Sequence, residues 1–280
     1  MLLVYRLLDS GNGEKLEQIA GFRVRRQAAQ AFWDCSLSKE AWQTVDATHV
    51  RSKKGGGYWD FHRKLPPSWI VEWGGFQFKA KLTPFGHIGL FPEQADNWSW
   101  LKKVISERGE LEVLNLFAYT GGSTLACAQA GARVTHLDAS KGVVSWAREN
   151  AGLNNLSQKP VRWIVDDVVK FVKREIRRGR NYQGLILDPP TYGRGNQGET
   201  WKIEDDLLEL LKSLKKLTPN LQFMLLSCHS PGFSGLVLSQ MMRQVFNMDS
   251  IETGEMVTAS ERMPLPSGVF SRWSLSCSAL

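Results

Sequence analysis

With 280 residues, 42% of them hydrophobic and 22% charged, the chain has the composition of an ordinary globular protein with a sizeable core, which excludes a disordered polymer. Its formal net charge of +7 favours an anionic partner such as nucleic acid. No apolar run approaches the roughly 18–20 residues that span a bilayer, and the opening MLLVYRLLDSGNGE turns charged too soon for a secretory signal, so a cytoplasmic location is expected. Cys35, Cys127, Cys228 and Cys277 show neither CxxC nor Cys/His ligand spacing, so neither a metal site nor a disulfide framework is expected.

Residues 1–80 combine turn signals (DSGNGE, KKGGG, KLPPS) with short aromatic runs and read as a small β-rich N-terminal module with one helix near 27–32. A connecting segment follows over 81–110. From 111 to 280, short β-type runs alternate with helical patterns, the signature of an α/β domain with a doubly wound, Rossmann-like sheet. Strands are expected at 111–117, 133–137, 161–165, 183–187 and 221–227. Helices are expected at 123–130, 141–153, 168–178, 203–217 and 236–246, where apolar residues such as Ile203, Leu207, Leu210, Leu211 and Leu214 recur at helical spacing. A long polar loop follows the fourth strand. Two final strands, near 251–258 and 272–277, are joined by SERMPLPSGV and would form an antiparallel edge.

The sharpest motif is EVLNLFAYTGGST, residues 112–124, in which an apolar strand enters a glycine turn, Gly121-Gly122, that opens a helix and aims free N–H groups at a ligand. It is not G-x-G-x-x-G, which counts against a nicotinamide or other dinucleotide cofactor. Asp138, in LDAS at the end of the second strand, suits the two hydroxyls of an adenosine ribose, although a helix N-cap is the plainer alternative. Asp166 and Asp167, ending the third strand, suit the amino edge of adenine. Asp188-Pro189-Pro190-Thr191-Tyr192 ends the fourth, at the crevice mouth where open α/β sheets bind ligands.

The words LNLFAYTGG, LDAS, ARENAGLNN, DDVVKFV, LDPPTY and SCHS resemble the class I methyltransferases, and within them the bacterial large-subunit ribosomal RNA methyltransferases of the cytosine-C5 type. The resemblance covers roughly residues 80–280; the RNA-binding PUA domain that begins those enzymes is not recognisable. It implies S-adenosylmethionine as cofactor and RNA, most naturally ribosomal, as partner. Phe117, Ala118, Tyr119, Thr120, Gly121, Gly122, Asp138, Ala139, Ser140, Asp166, Asp167, Asp188 and Pro189 would then line the cofactor. By the family's pattern Asp167, directly before Val168, would be the adenine contact; Asp166 is then expected simply to cap the helix. Pro190, Tyr192 and His229 would face the substrate.

Carbon 5 of cytosine is a poor nucleophile, so its methylation needs a thiolate to add at carbon 6. Cys228 matches that nucleophile position, with SCS of the family becoming Ser227-Cys228-His229; the competing reading is a small core residue. Asp188 would hold or protonate the target base. An enzyme that methylates a base nitrogen or another acceptor is the alternative, followed by a non-catalytic cofactor- or RNA-binding module. Lys170, Lys173, Arg174, Arg177 and Arg178 read as a solvated helix face. Arg51, Lys53 and Lys54, beside Gly55–Gly57, Tyr58, Trp59 and Trp69, form a more suggestive RNA surface, with core tryptophans of a small β module as the equal alternative.

Overall fold

The computed structural model describes residues 3–52, 56–195 and 198–276, so the expectations on Lys53, Lys54, Gly55 and Cys277 lie outside the described residues. The chain divides into two compact units, Met1–Ala95 with Val257–Ser267, and Asp96–Met256 with Gly268–Leu280.

In the first unit, β1 (Tyr5–Gly11), β2 (Glu14–Ile19), β3 (Phe22–Gln27), β4 (Ala47–Arg51) and β5 (Gly57–Phe61) form one sheet in chain order, with a short helix α1 (Lys39–Gln43) before β4. The β1–β2 hairpin closes on Asn12-Gly13, both at positive φ, as a two-residue turn that follows strand twist requires. A separate hairpin joins β6 (Trp69–Trp73) to β7 (Phe76–Ala80). Tyr5, Leu16, Ile19, Val24, Phe76 and Phe78 are buried in this unit. The helix expected near 27–32 does not form. Ala28 and Ala31, three apart and both buried beside Leu7 and Leu265, mimic a helical stripe, but their segment instead bonds to the hairpin turn, Gly13 donating to the Ala31 carbonyl and Ala28 to that of Gly13.

The second unit opens with α2 (Ala95–Ser106), inside the expected connecting segment, and buries Trp98, Leu101, Val104 and Ile105. There follow β8 (Glu112–Leu116), α3 (Gly122–Gln129), β9 (Arg133–Asp138), α4 (Lys141–Leu153), β10 (Val161–Val165), α5 (Val168–Arg177) and β11 (Gly184–Leu187). The expected polar loop contains a ribbon, β12 (Tyr192–Arg194) and β13 (Thr200–Lys202), before α6 (Ile203–Lys215), β14 (Phe223–Cys228), α7 (Gly235–Phe246), β15 (Glu252–Thr258) and β16 (Leu265–Ser274). The large sheet runs β10-β9-β8-β11-β14-β16-β15. Its first five strands pair in parallel, and β16 returns antiparallel between β14 and β15, so the expected antiparallel edge is present.

Counted by chain order within this sheet, the sequence is 3-2-1-4-5-7-6. The reversal falls between β8 and β11, the kind of switch point beyond whose C-terminal strand ends open α/β sheets bind ligands. β16 starts earlier than expected because Pro266 and Gly268, which read as a loop, lie within the strand. Leu114, Leu116, Phe171, Leu185, Leu187, Leu207 and Leu226 belong to the apolar core that clamps helices to the sheet. Among the described residues no helix is long and apolar enough to cross a membrane.

Candidate active site

The turn after β8 is held in an uncommon backbone form. Phe117, Tyr119 and Gly121 all have positive φ (56°, 47° and 93°), a conformation that costs a residue with a side chain about 1–3 kcal/mol. Its surroundings over-determine it. The Phe117 ring meets that of Trp201 at 4.9 Å, the Tyr119 N–H donates to Asp138 Oδ2 at 3.1 Å, and Asn150 Nδ2 donates to the Thr120 carbonyl at 2.9 Å. Gly121 is the N-cap of α3, where an added Cβ would lie 3.2 Å from that of Ala147. A Cβ on Gly122 would stand 2.4 Å from the Trp98 ring, so α2 requires this glycine.

Beneath the turn runs a buried polar chain. Asn115 Nδ2 donates to Thr124 Oγ1, which lies 2.9 Å from His136 Nδ1. His136 Nε2 has no hydrogen-bond partner among the described residues, and burial, aided by Arg148, lowers this imidazole's pKa to about 3. It is a neutral strut.

Asp138 ends β9. Its Oδ1 accepts from the Ser140 N–H at 2.9 Å while its Oδ2 holds Tyr119. The N-cap of α4 is Ser140, whose hydroxyl accepts from the Val143 N–H, so capping does not account for Asp138. Burial raises its pKa, against the lowering effect of the backbone N–H groups of Ser140, Tyr119 and Ala139. At the end of β10 the helix cap falls to the other acid than expected: Asp167 caps α5 by accepting from the Lys170 N–H, and Asp166 pairs with Arg174 at 2.5 Å. The basic face of α5 is paired elsewhere too, Lys170 with Glu199 and Arg178 with Glu175, as befits a solvated surface.

The acceptor side is built from β11, β14 and the ribbon. Ser227 Oγ donates to Asp188 Oδ1 at 2.8 Å, and exposed His229 brings Nε2 to 3.6 Å from the same oxygen. Thr191 Oγ1 and Ser230 Oγ are 2.6 Å apart, and the Trp201 indole donates to the Pro190 carbonyl at 2.7 Å. Asp188-Pro189-Pro190-Thr191 is thus a fixed loop, leading to Tyr192, which is half exposed. Gly268 on β16 sits where a Cβ would come within 3.0 Å of His229 Nδ1. Cys228 ends β14 at 1% exposure, within the apolar core. Burial pushes its thiol up, Asp188 and Glu204 adding in the same direction, while the Ser230 N–H at 3.3 Å acts in opposition.

Sequence reasoning singled out the acids and glycines at the strand ends, and these residues stand on successive C-terminal ends of the large sheet. It missed Trp201, Ser227, Ser230, Trp98 and His136. Of these, Trp98 lay on a readable stripe with Leu101 and Ile105. In the first unit, the Trp59 and Trp69 indoles bond to that unit's own backbone, at Thr83 and Ile19, whereas Tyr58 is 62% exposed.

A sheet in the order 3-2-1-4-5-7-6, with a strained glycine turn, a half-buried carboxylate and a fixed Asp-Pro-Pro loop on adjacent strand ends, defines a class I methyltransferase. Residues 22–255 match the family model described as S-adenosylmethionine-dependent methyltransferase, and the chain belongs to that family. It is similar to the S-adenosylmethionine-dependent methyltransferase from Agrobacterium tumefaciens, at 39% identity and a TM-score of 0.90, covering 96% of this chain and 90% of that one. The structure of SMU.776 complexed with SAH shares the fold at 16% identity and a TM-score of 0.76, over 97% of this chain and 75% of that one.

Two further relatives carry the name ribosomal RNA large subunit methyltransferase K/L. That of Shewanella frigidimarina is 34% identical over 155 residues, 54% of this chain and 21% of the relative, and that of Pseudoalteromonas translucida is 29% identical over 191 residues, 67% and 26%. The chain spans about a quarter or less of these relatives' length.

Proposed function

We propose that this S-adenosylmethionine-dependent methyltransferase acts on large-subunit ribosomal RNA, at a base nitrogen presented to the Asp188–Tyr192 loop. The observation that carries the reading is this loop, where a hydrogen-bonded carboxylate, an imidazole and an exposed aromatic ring stand beside the switch point of the sheet. The names of the two ribosomal RNA relatives support the RNA class.

The residues fit the cofactor. The turn from Phe117 through Ala118, Tyr119, Thr120 and Gly121 to Gly122 offers backbone N–H groups and a helix N-terminus for an amino-acid carboxylate. Asp138, with Ala139 and Ser140, would hold the ribose hydroxyls, and Asp166 or Asp167 the adenine edge. When bound, the cofactor supplies an electrophilic methyl group on a sulfonium. Asp188 and Pro189 would border it, and Asp188 can hold an amino hydrogen of the acceptor while Pro190 and His229 fix the base plane and Tyr192 faces the adjoining substrate. Orientation of the acceptor is the main source of acceleration.

The cytosine-C5 reading, carried by the matching position of Cys228, needs that thiol exposed and ionised. Its burial and raised pKa oppose a thiolate and favour the nitrogen reading, in which the acceptor's own lone pair attacks. Transfer of labelled methyl to RNA from cells lacking the gene, followed by nucleoside mass spectrometry, tests both. We expect a base N-methyl group in large-subunit RNA and full activity in Cys228→Ala. A covalent adduct with 5-fluorocytosine RNA, lost in Cys228→Ala, would establish the carbon-5 reaction instead. Label entering only protein or small molecules would sink the RNA reading.

A further inference from the structure

We propose that the outward face of the β12–β13 ribbon docks the RNA strand beside the methylated base, with the Tyr192 ring stacking on a neighbouring nucleotide and Arg194 and Lys202 meeting its phosphates. The inference rests on the RNA reading above and extends it to residues outside the Asp-Pro-Pro loop.

The ribbon is two-faced by construction. Its register sets Tyr192 opposite Lys202, Gly193 opposite Trp201 and Arg194 opposite Thr200. Since side chains alternate along a strand, Tyr192, Arg194, Thr200 and Lys202 share one face, and all four are exposed. On the other face Trp201 is buried against Phe117, with Gly193 paired opposite it. The polar face is therefore presented on a rigid mount, anchored through the Trp201 indole to the Pro190 carbonyl.

Its chemistry suits a nucleotide. Arg194 Nε donates to the Tyr192 hydroxyl at 2.9 Å, and the guanidinium carbon lies 5.9 Å from the ring centroid, so cation and ring are held side by side. Stacked rings with adjacent cations bind single strands with little base preference. The nearby carboxylates are engaged: Glu199 pairs with Lys170, and Asp205 lies 3.7 Å from Lys202, an exposed pair that a phosphate can displace. Tyr192 stands four residues after Asp188, at most about 14 Å along the chain, so this face borders the acceptor loop.

The test uses the full-length protein, labelled S-adenosylmethionine and large-subunit ribosomal RNA from cells lacking the gene. In Arg194→Gln/Lys202→Gln the KM for RNA should rise about tenfold, and the slope of log Kd against log salt should fall by about 1.4, about 0.7 for each single-strand phosphate contact. Tyr192→Ala should weaken RNA binding roughly tenfold, with Tyr192→Phe restoring it, because the ring and not the hydroxyl stacks. Arg194→Lys should keep the salt slope. Calorimetric affinity for S-adenosylhomocysteine should stay at the wild-type value throughout, which separates docking from loss of fold. RNA methylation with unchanged KM and salt slope in the variants overturns this inference alone. A wild-type protein that neither binds nor methylates the RNA overturns the RNA reading and this inference with it.

Discussion

Replacing Asp138 by asparagine is the most direct trial of the proposed cofactor site. The carboxylate accepts the Tyr119 N–H on one oxygen and the Ser140 N–H on the other. Asparagine keeps the shape but turns one acceptor into an amide donor facing a backbone donor, and it removes the charge that would hold a ribose hydroxyl. A hydrogen bond to a charged group contributes about 1.5–3 kcal/mol, so S-adenosylhomocysteine should bind about 10- to 150-fold more weakly, as read by titration calorimetry. The pH dependence gives an independent readout. Burial raises the pKa of Asp138, so wild-type affinity should fall as pH drops through that raised value, from a higher pH than an exposed aspartate would give. The variant has no such limb. Fold stability moves the other way: the folded protein binds this proton more tightly than the unfolded chain, so Asp138 adds stability at low pH that is lost as pH rises through its folded value. An asparagine variant that binds within about twofold of wild type, well under 1 kcal/mol, would refute the assignment.

Gly122→Ala should destabilise the protein by about 1–3 kcal/mol, because its Cβ would enter the Trp98 ring at 2.4 Å. Trp98→Leu in the same chain should recover part of that loss in denaturant unfolding, and strictly additive effects would show that the ring is not the obstacle. His136→Gln removes a group whose folded pKa of about 3 lies well below the usual histidine value. The stability His136 provides is complete above about pH 6.5 and declines by up to about 1.4 kcal/mol per pH unit as the pH falls toward its folded value. The glutamine variant should lack that slope, and identical acid profiles for the two proteins would contradict a buried neutral imidazole.

Where a residue's position depends only on its place along its own strand, the sequence made it legible. Gly121, Asp138, Asp167 and Asp188 follow apolar strands whose helices have clear periodicity, so their order alone placed them at the C-terminal strand ends. Roles set by a neighbour distant in sequence were not legible. Both Asp138 and Ser140 are good N-cap residues, and only the backbone path shows that the hydroxyl takes the cap and releases the carboxylate. The same geometry gives the α5 cap to Asp167. Trp201 was hidden because a three-residue strand carries too little pattern to stand out from a polar loop. Ala28 and Ala31 misled in the opposite sense, since two buried alanines three apart satisfy a helical template without needing a helix.

Trp201 and Trp146 also explain why aromatic residues occupy a strained turn. A chain that needed only to pass from strand to helix would place glycine or asparagine at the positive-φ positions 117 and 119, where an L side chain is costly. Phenylalanine and tyrosine there make sense through what their rings touch: Phe117 packs on Trp201, and Tyr119 lies 6.3 Å from the Trp146 ring on α4. The same Trp201 indole bonds the Pro190 carbonyl, so one side chain braces the turn after β8 and the loop after β11 together. On the proposed placement of the cofactor at the first and the acceptor at the second, methyl transfer in line requires the two to be aligned to a fraction of an ångström, and two loops that drifted independently would lose that alignment. The backbone strain at Phe117 is then the local cost of tying the two loops to a common ring.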